Sequence, residues 1–211
     1  MRFAPDPART AAEGGRRPSR RGFVRYRSAP WSGGTGYTVN VVPSSMPTGE
    51  TVLATGSIDA KGGFSIQLPP PDAIAPYLMQ ALQTKDPVCS EVPTANPADV
   101  KIVPMALTAK KAGATSQVII LLSRKPANNT LVGDVGANFV YSDRDADVTG
   151  QTKCAPPGSS ITGDQTWHLR KGWNIIISKI LDFNSEPKNF RLASESHTGA
   201  LPPEVKWWTT N

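Results

Sequence analysis

Residues 56–69 read GSIDAKGGFSIQLP, and this stretch decides the fold class. Phe64, Ile66 and Leu68 alternate with polar residues, which is the period of a strand with one buried face. Asp59 and the glycines that follow it are typical of a tight turn, because glycine adopts the backbone angles that such a turn requires. The stretch therefore predicts two antiparallel strands joined by a short turn.

The rest of the chain repeats this pattern of short strands separated by turn residues, and helical periodicity is nearly absent. Further strands are predicted at residues 37–41, 51–55, 102–106, 117–123, 136–141, 190–193 and 205–209, with a hairpin over 166–180 that turns at Lys171-Gly172. The pattern predicts an all-β fold, an antiparallel β-sandwich over residues 35–211. Two subdomains meeting near residue 100 are an alternative division of this body.

One short helix and two cysteine-bearing loops interrupt the strands. The helix is predicted from Ala73 to Leu82, with Asp72 as its cap. The loops are predicted at residues 84–100 and 154–163. The chain has 18 glycines and 20 prolines among 211 residues, a share that fits strands joined by many turns. No apolar run is long enough for a transmembrane helix, so no transmembrane segment is predicted.

The basic character of the chain is confined to residues 1–34. This segment holds eight arginines against Asp6 and Glu13, a net charge of +6, whereas residues 35–211 hold 15 basic and 15 acidic side chains. Arg, Ala, Pro, Gly and Ser dominate the segment, which predicts a disordered basic tail over residues 1–34 that lies outside the fold. The segment carries positive charge but lacks the apolar region of a signal peptide.

Three interpretations of this tail stay open. It is a basic arm for nucleic acid or another anionic surface, a passive linker, or a non-native start joined to an exported protein. Because the body is neutral, the sequence indicates no specific nucleic-acid partner.

The two cysteines, Cys89 and Cys154, form no CxxC pair and have no histidine nearby in the sequence. A zinc site is therefore not indicated. If the protein is exported, a disulfide between them is expected. Two unrelated buried thiols are the alternative.

Two parts of the body resemble known families. Residues 56–69 resemble the first hairpin of secreted carboxypeptidase-regulatory-like and transthyretin-like β-domains. Residues 141–154, YSDRDADVTGQTKC, and 166–177, TWHLRKGWNIII, are together similar to exported lipoproteins of Deinococcal-type bacteria. The resemblance implies a sandwich of the immunoglobulin or transthyretin type and a location in the periplasm or cell envelope. Its motifs are structural, so it implies no reaction.

Asp143, Asp145 and Asp147 are the candidate metal ligands. Alternate carboxylates in a loop suit calcium, which binds six to eight oxygens. The match to a calcium loop then fails, because Val148 stands where glycine is needed and Cys154 where a glutamate belongs. Three carboxylates on one solvated strand face are the alternative. Apart from this weak calcium hypothesis, no cofactor is predicted.

Four tryptophans are concentrated near the C-terminus: Trp167, Trp173, Trp207 and Trp208. Trp207 and Trp208 are adjacent in a predicted strand, so their side chains point to opposite faces of the sheet. We expect one in the core and the other on or near the surface. Together with Trp173, they are the candidate binding residues, because an exposed tryptophan is a platform for a sugar ring or a partner.

The sequence predicts a non-catalytic structural or binding protein of the cell envelope, with an envelope protein or a polysaccharide as partner. A carbohydrate-binding module that uses the C-terminal tryptophans is the alternative. A small hydrolase is a second alternative that the sequence disfavours. The two histidines, His168 and His197, are far apart in the sequence, and no G-x-S-x-G, HExxH or phosphate-loop motif occurs. No catalytic residue is assigned.

Overall fold

The computed structural model of the chain describes residues 35–44, 51–61, 63–81, 87–113, 116–124 and 130–209, and the backbone of residues 23–26. The predicted all-β class is confirmed. In chain order the elements are β1 (Phe23–Tyr26), β2 (Tyr37–Pro43), β3 (Ala54–Ile58), β4 (Phe64–Gln67), α1 (Pro71–Ile74), a 3₁₀ turn (Ala75–Tyr77), β5 (Met79–Gln80), β6 (Cys89–Glu91), β7 (Thr94–Asn96), β8 (Lys101–Lys111), β9 (Gln117–Leu122), β10 (Val135–Ser142), β11 (Ala146–Cys154), β12 (Ser159–Leu169), β13 (Gly172–Asn184), β14 (Phe190–Thr198) and β15 (Lys206–Thr209).

Backbone hydrogen bonds join these strands into one continuous sheet. The order is β1-β4-β3-β2-β8-β9-β10-β13-β14-β12-β11-β6, while β15 pairs with β9, β5 with β8 and β7 with β11. Neighbours are antiparallel except β12 and β14, which run parallel through residues 159–166 and 190–197. The sheet is therefore mixed, and the prediction of a purely antiparallel arrangement is wrong for this pair.

The sheet folds over on itself around its larger hydrophobic cluster. Phe64 of β4 and Trp207 of β15 are not on paired strands, yet their rings meet edge to face with centroids 5.4 Å apart. This is the layered packing expected of a sandwich. The cluster includes side chains from both sides of residue 100, such as Val39 of β2 and Met105 of β8. The division into subdomains near residue 100 stays a prediction.

A second, smaller cluster lies on the other face of β8, β10 and β13 and includes side chains of β11 and β12. Its buried members are Val100, Ile102, Val140, Ala146, Val148, Leu169 and Ile176. Ile102 belongs to this cluster while Val103 belongs to the first, as the alternation of side chains along a strand requires. β8 therefore contributes to both clusters.

The predicted turn at the opening stretch is confirmed. Asp59 Oδ1 accepts hydrogen bonds from the N–H groups of Lys61 and Gly63, both at 2.8 Å, and the Asp59 N–H donates to the Gly63 carbonyl at 2.8 Å. β3 begins at Ala54 rather than at residue 51. At Gly56, a Cβ atom would lie 2.4 Å from the Ser65 carbonyl oxygen, so the close approach of β3 and β4 requires glycine there.

The predicted helix from Ala73 to Leu82 is too long. The α-helical residues are 71–74, followed by a 3₁₀ turn over 75–77. Pro76 has no N–H to donate back to the preceding turn, which stops an α-helix. Met79 and Gln80 then form β5 against β8. Asp72 lies in the first turn, and the cap position is Pro70, with no side-chain hydrogen bond.

The predicted hairpin over residues 166–180 is also wrong. β12 and β13 follow each other closely, but β14 lies between them, antiparallel to β13 and parallel to β12. The Asn174 side chain explains how the chain leaves β12: its Oδ1 accepts the Arg170 N–H at 2.9 Å, and its Nδ2 donates to the carbonyls of Arg170 and Gly172. Gly172 has a φ of +100°. These contacts fix the short connection between β12 and β13.

Two further boundaries are corrected. The loop predicted over 154–163 covers only residues 155–158, because β11 ends at Cys154 and β12 begins at Ser159. The tail predicted over 1–34 contains β1, which pairs with β4 from Phe23 opposite Gln67 to Tyr26 opposite Phe64. Phe, Val and Tyr favour strands, and the arginine-rich average of the segment concealed this run. The rest of the predicted tail lies outside the described residues.

We expect the substitution Asp59→Ala to lower the free energy of unfolding by about 1–2 kcal/mol, because two backbone N–H groups lose their shared acceptor. In a chain of this size this corresponds to a fall in Tm of roughly 2–8 °C. Thermal denaturation followed by circular dichroism measures it. Asp59→Asn keeps an acceptor oxygen at the same place and is the control. Equal losses in the two variants would show that the hydrogen bonds do not stabilise the turn.

Candidate functional site

The two cysteines form a disulfide across neighbouring strands, and the predicted pairing is confirmed. Cys89 of β6 lies opposite Cys154 of β11, and their sulfur atoms are 2.06 Å apart. An ion pair of 2.8 Å between Lys153 and Glu91 lies beside the disulfide. The bond attaches the three-residue strand β6 to the rim of the sheet.

The three candidate calcium ligands are not brought together. Asp143 binds the Arg144 guanidinium at 3.0 Å and the Lys101 N–H at 2.9 Å, whereas Asp145 accepts from Arg170 and from the Lys171 N–H. Asp147 contacts His168 Nδ1 at 2.7 Å. No group of three or more His, Cys, Asp or Glu side chains among the described residues could hold a metal ion. The calcium hypothesis therefore has no donor set in this part of the chain.

These carboxylates instead connect strands. Arg144 also binds Asp99 at 2.8 Å, which links the turn after β10 to the segment before β8. Burial raises the pKa of Asp143, but hydrogen bonds from Arg144 and the Lys101 N–H outweigh burial and hold that pKa below its ordinary value of 3.8. The Lys171 N–H and Arg170 likewise lower the pKa of Asp145. Both groups are structural acceptors in ionised form.

His168 and Asp147 form an exposed pair, with 66% and 61% of their side chains accessible. The Thr198 hydroxyl lies nearby, but it accepts from the His168 backbone N–H at 2.9 Å rather than contacting the ring. A nucleophile activated by a histidine must reach the ring nitrogen, and Thr198 does not. His197 is also exposed. The hydrolase alternative therefore gains no support from either histidine.

The tryptophans do not form one platform. Trp207 is 2% exposed in the first cluster, and Trp208, facing the other way, is half-buried and donates from Nε1 to the Leu122 carbonyl at 3.2 Å. The expected split between core and near-surface positions is confirmed. Trp173 packs edge to face on Tyr141, with centroids 5.5 Å apart, against the first cluster. Because Trp208 lies on the opposite face of the sheet, the predicted set of three is divided between two surfaces.

The sheet does carry a continuous polar feature that sequence analysis missed. Five residues lie opposite one another across β10, β13, β14, β12 and β11, and we name them the polar row: Gly136, Ser178, Ser196, Gln165 and Gly150. The serines and Gln165 are half-buried. Since β13 lies beside β10 and β14 beside β12, which are not consecutive in the chain, no spacing in the sequence predicts the row.

Hydrogen bonds fix the side chains of the polar row. Trp167, the next residue along this face of β12, donates from Nε1 to Ser196 Oγ at 2.9 Å. The orientation of the Gln165 amide is assigned from its hydrogen-bond partners. Its nitrogen donates to the Gly150 and Gly163 carbonyls at 3.0 and 2.9 Å, and its oxygen accepts from Thr152 Oγ1 at 3.2 Å. The row thus combines hydroxyl and amide groups with a half-buried indole.

A cavity of about 230 Å³ adjoins the polar row. It lies near the middle of β9. Residues 117–119 of β9 pair with β8, and residues 121–122 of β9 pair with β10. Gly136 belongs to both the row and the cavity wall, and Ile120 in that wall is the cross-strand neighbour of Trp208. Ser44 and Asn138 are the polar side chains of an otherwise apolar lining.

The comparisons with known proteins yield no relative. No family model, no curated protein and no solved structure matches the chain. Among the described residues, no helix is long and apolar enough to cross a membrane.

We expect Asp143→Asn to destabilise the protein at neutral pH by about 1–3 kcal/mol, because Arg144 and the Lys101 N–H lose a charged acceptor. The folded-state pKa of Asp143 lies below 3.8, so its stabilising contribution is fully present above the unfolded pKa and is lost as the pH falls through the folded one. The difference between variant and wild type should therefore shrink from pH 6 to about pH 2.

Urea denaturation across this pH range measures the effect. Glu204→Gln, which removes an exposed carboxylate, is the control for a general change of charge. A destabilisation by Asp143→Asn that stays constant down to the lowest pH would contradict the assignment of Asp143 as an ionised acceptor.

Proposed function

We propose that this protein is a non-catalytic component of the cell envelope, exported from the cytoplasm, with a structural or binding role. The observation that carries the proposal is the Cys89–Cys154 disulfide. Disulfides persist in oxidising compartments and are rare in cytosolic proteins, where thiols are kept reduced. The partner in this proposal is an envelope protein or an envelope polysaccharide.

The use made of the ionisable side chains agrees with a non-catalytic role. Asp143 and Asp145 are held in ionised form by their partners, with a pKa below the ordinary value, whereas a general acid or base works best with a pKa near the working pH. Their partners lie on other strands or turns, so the contacts stabilise the connections of the sheet. This supports a scaffold that presents a surface.

Fractionation of the native cells tests export. We expect the protein in the periplasmic or envelope fraction, with both thiols blocked from alkylation until a reductant is added. Because the two cysteines are 65 residues apart, reduction should lower the free energy of unfolding by about 4 kcal/mol on the chain-entropy model. Mass spectrometry after alkylation reads the thiol state. Protein in the cytosolic fraction with two free thiols would contradict the proposal.

Carbohydrate binding is the second candidate, and Trp167 beside the polar row favours it. Sugar rings stack their C–H faces on indoles, and their hydroxyl groups bond to side chains such as those of Ser196, Ser178 and Gln165. The neutral charge of residues 35–211, with 15 basic and 15 acidic side chains, suits an uncharged glycan. In this proposal the sugar stacks on Trp167 rather than on Trp207 or Trp208.

A glycan array with purified protein tests this candidate. We expect Trp167→Ala to weaken binding at least tenfold, because the stacking surface is lost, and Ser178→Ala to weaken it by a smaller factor. Trp173→Ala is the matched control, since Trp173 packs on Tyr141 away from the polar row. Circular dichroism confirms that each variant is folded. Binding that is lost equally in Trp167→Ala and Trp173→Ala would reflect destabilisation and would reject the site.

A further inference from the structure

One face of the four strands β11 to β14 carries no charged side chain between Trp167 and Phe190, and we name this strip the uncharged face. The polar row crosses it, with Trp167 on one side of the row. On the other side, Ile161 of β12 lies opposite Leu192 of β14, and Leu192 lies opposite Phe183 of β13. Phe183 meets the ring of Phe190, at the start of β14, with centroids 5.9 Å apart. The strip therefore has an indole at one end and two phenyl rings at the other.

The charged side chains of these strands lie on the opposite face. Asp164 and Glu195 are opposite each other there, and Lys179 and Arg191 lie on the same side, because neighbouring residues of a strand point to opposite faces. Nucleic acids are bound mainly through Lys and Arg, and the uncharged face has neither. Nor does it offer a carboxylate to a basic partner. The charge pattern therefore favours a ligand that is itself uncharged.

The uncharged face offers both apolar rings and unused hydroxyl groups. Phe183, Phe190 and Leu192 are only half-buried, and among the described residues they belong to neither hydrophobic cluster. Between the aromatic ends, the hydroxyl groups of Ser178 and Ser194 have no hydrogen-bond partner in the part of the chain that the structure describes. A ligand with apolar faces and polar edges matches both kinds of group.

The dimensions of the strip fit an extended chain rather than a folded protein. Trp167 and Ile161 are six residues apart along β12, about 20 Å, and β11 and β13 are three strand spacings apart, about 14 Å. The resulting area of roughly 300 Å² is well below the ~800 Å² that each partner contributes to a stable protein interface. A peptide in strand form would add to a sheet edge, whereas β12 and β14 have neighbours on both sides.

We propose that the uncharged face binds a stretch of a linear, neutral polysaccharide that lies along the strands from Trp167 to Phe183. This inference rests on the carbohydrate-binding candidate and adds to it the length of the ligand and a second aromatic contact. Sugar rings pack their C–H faces on aromatic rings, and their hydroxyl groups bond to side chains such as those of Ser178 and Ser194. Because a single sugar reaches only one end of the strip, full affinity requires a chain of several units.

Titration calorimetry with neutral oligosaccharides of increasing length tests the proposal. The probes are the cello-, chito- and laminari-oligosaccharide series, from disaccharide to hexasaccharide. We expect the affinity for at least one series to rise at least tenfold from the disaccharide to the hexasaccharide. Phe183→Leu keeps an apolar side chain but removes the ring, so it should lower the affinity for the hexasaccharide at least fivefold and leave that for the disaccharide unchanged.

Two further variants support the measurement. Phe190→Leu should have the same length-dependent effect as Phe183→Leu, because it removes the other ring of the pair. Lys179→Ala changes the opposite face of the strand that carries Phe183 and is the matched control, which should bind every length like the wild type. Circular dichroism confirms that each variant is folded.

Three results would overturn the proposal. Binding that requires Trp167 but depends neither on chain length nor on Phe183 would reject the extended site and leave the carbohydrate-binding candidate standing. Binding of none of the three series would reject both. A dimer in light scattering that Phe183→Leu dissociates would assign the strip to a second copy of the chain.

Discussion

The backbone ladder of β8 is the constraint on which the rest of the structure depends. This eleven-residue strand pairs with β2, β5, β9 and β10, so it joins the N-terminal strands to everything that follows. Met105 and Leu107 enter the first hydrophobic cluster, while Ile102 enters the second. A shift of one residue in its pairing would exchange these faces and empty both clusters of their β8 side chains. Burial of its side chains in the two clusters therefore fixes the register of β8.

The cavity beside the polar row follows from the same strand. β8 uses residues 107–109 for β9 and residues 102–105 for β10, and Ala106 lies between the two runs of pairing. Because β9 turns away from β8 to reach β10 at Leu122 and Gly136, three strands diverge at this point. The space of about 230 Å³ lies among them. It is a consequence of sheet topology rather than of small side chains alone.

The sequence predicted what depends on local chemistry. The alternation from Phe64 to Leu68 and the turn at Asp59 identified a hairpin, because both signals lie within a few residues of each other. A helix was correctly predicted in this region, but the predicted range of 73–82 is wrong at both ends, because the α-helix covers 71–74. Pro76 stops it, and Met79 and Gln80 pair with β8 instead. The disulfide was expected only if the protein is exported, because the chain has two cysteines without metal-binding spacing.

What could not be predicted is which strands become neighbours. The aromatic segments around Lys171-Gly172 match a hairpin in spacing, and only the insertion of β14 separates them. That insertion depends on a segment further along the chain, which has no local signal for its partner. The polar row has the same origin, because Ser196 of β14 meets both Ser178 and Gln165 only in this order of strands. The missed site is therefore a direct consequence of the missed topology.

The two faces of β14 have different roles. One carries ion pairs that help to fix the order of the strands, and the other carries Ser196 of the polar row. A slip of one residue would bring Glu195 and His197 to the face that now carries Ser194 and Ser196. On the opposite face from the row, Lys179 approaches Glu195 at 3.9 Å and Asp182 binds Arg191 at 3.2 Å. Each of these exposed ion pairs adds at most about 1 kcal/mol to the stability.

Phe183 and Phe190 lie beyond the row, and their rings meet edge to face with centroids 5.9 Å apart. This aromatic contact adds roughly 0.5–1.5 kcal/mol, which a slipped register would lose. The register is thus set by several weak contacts outside the row, while the hydrogen bonds of Gln165 and Ser196 fix the side chains within it.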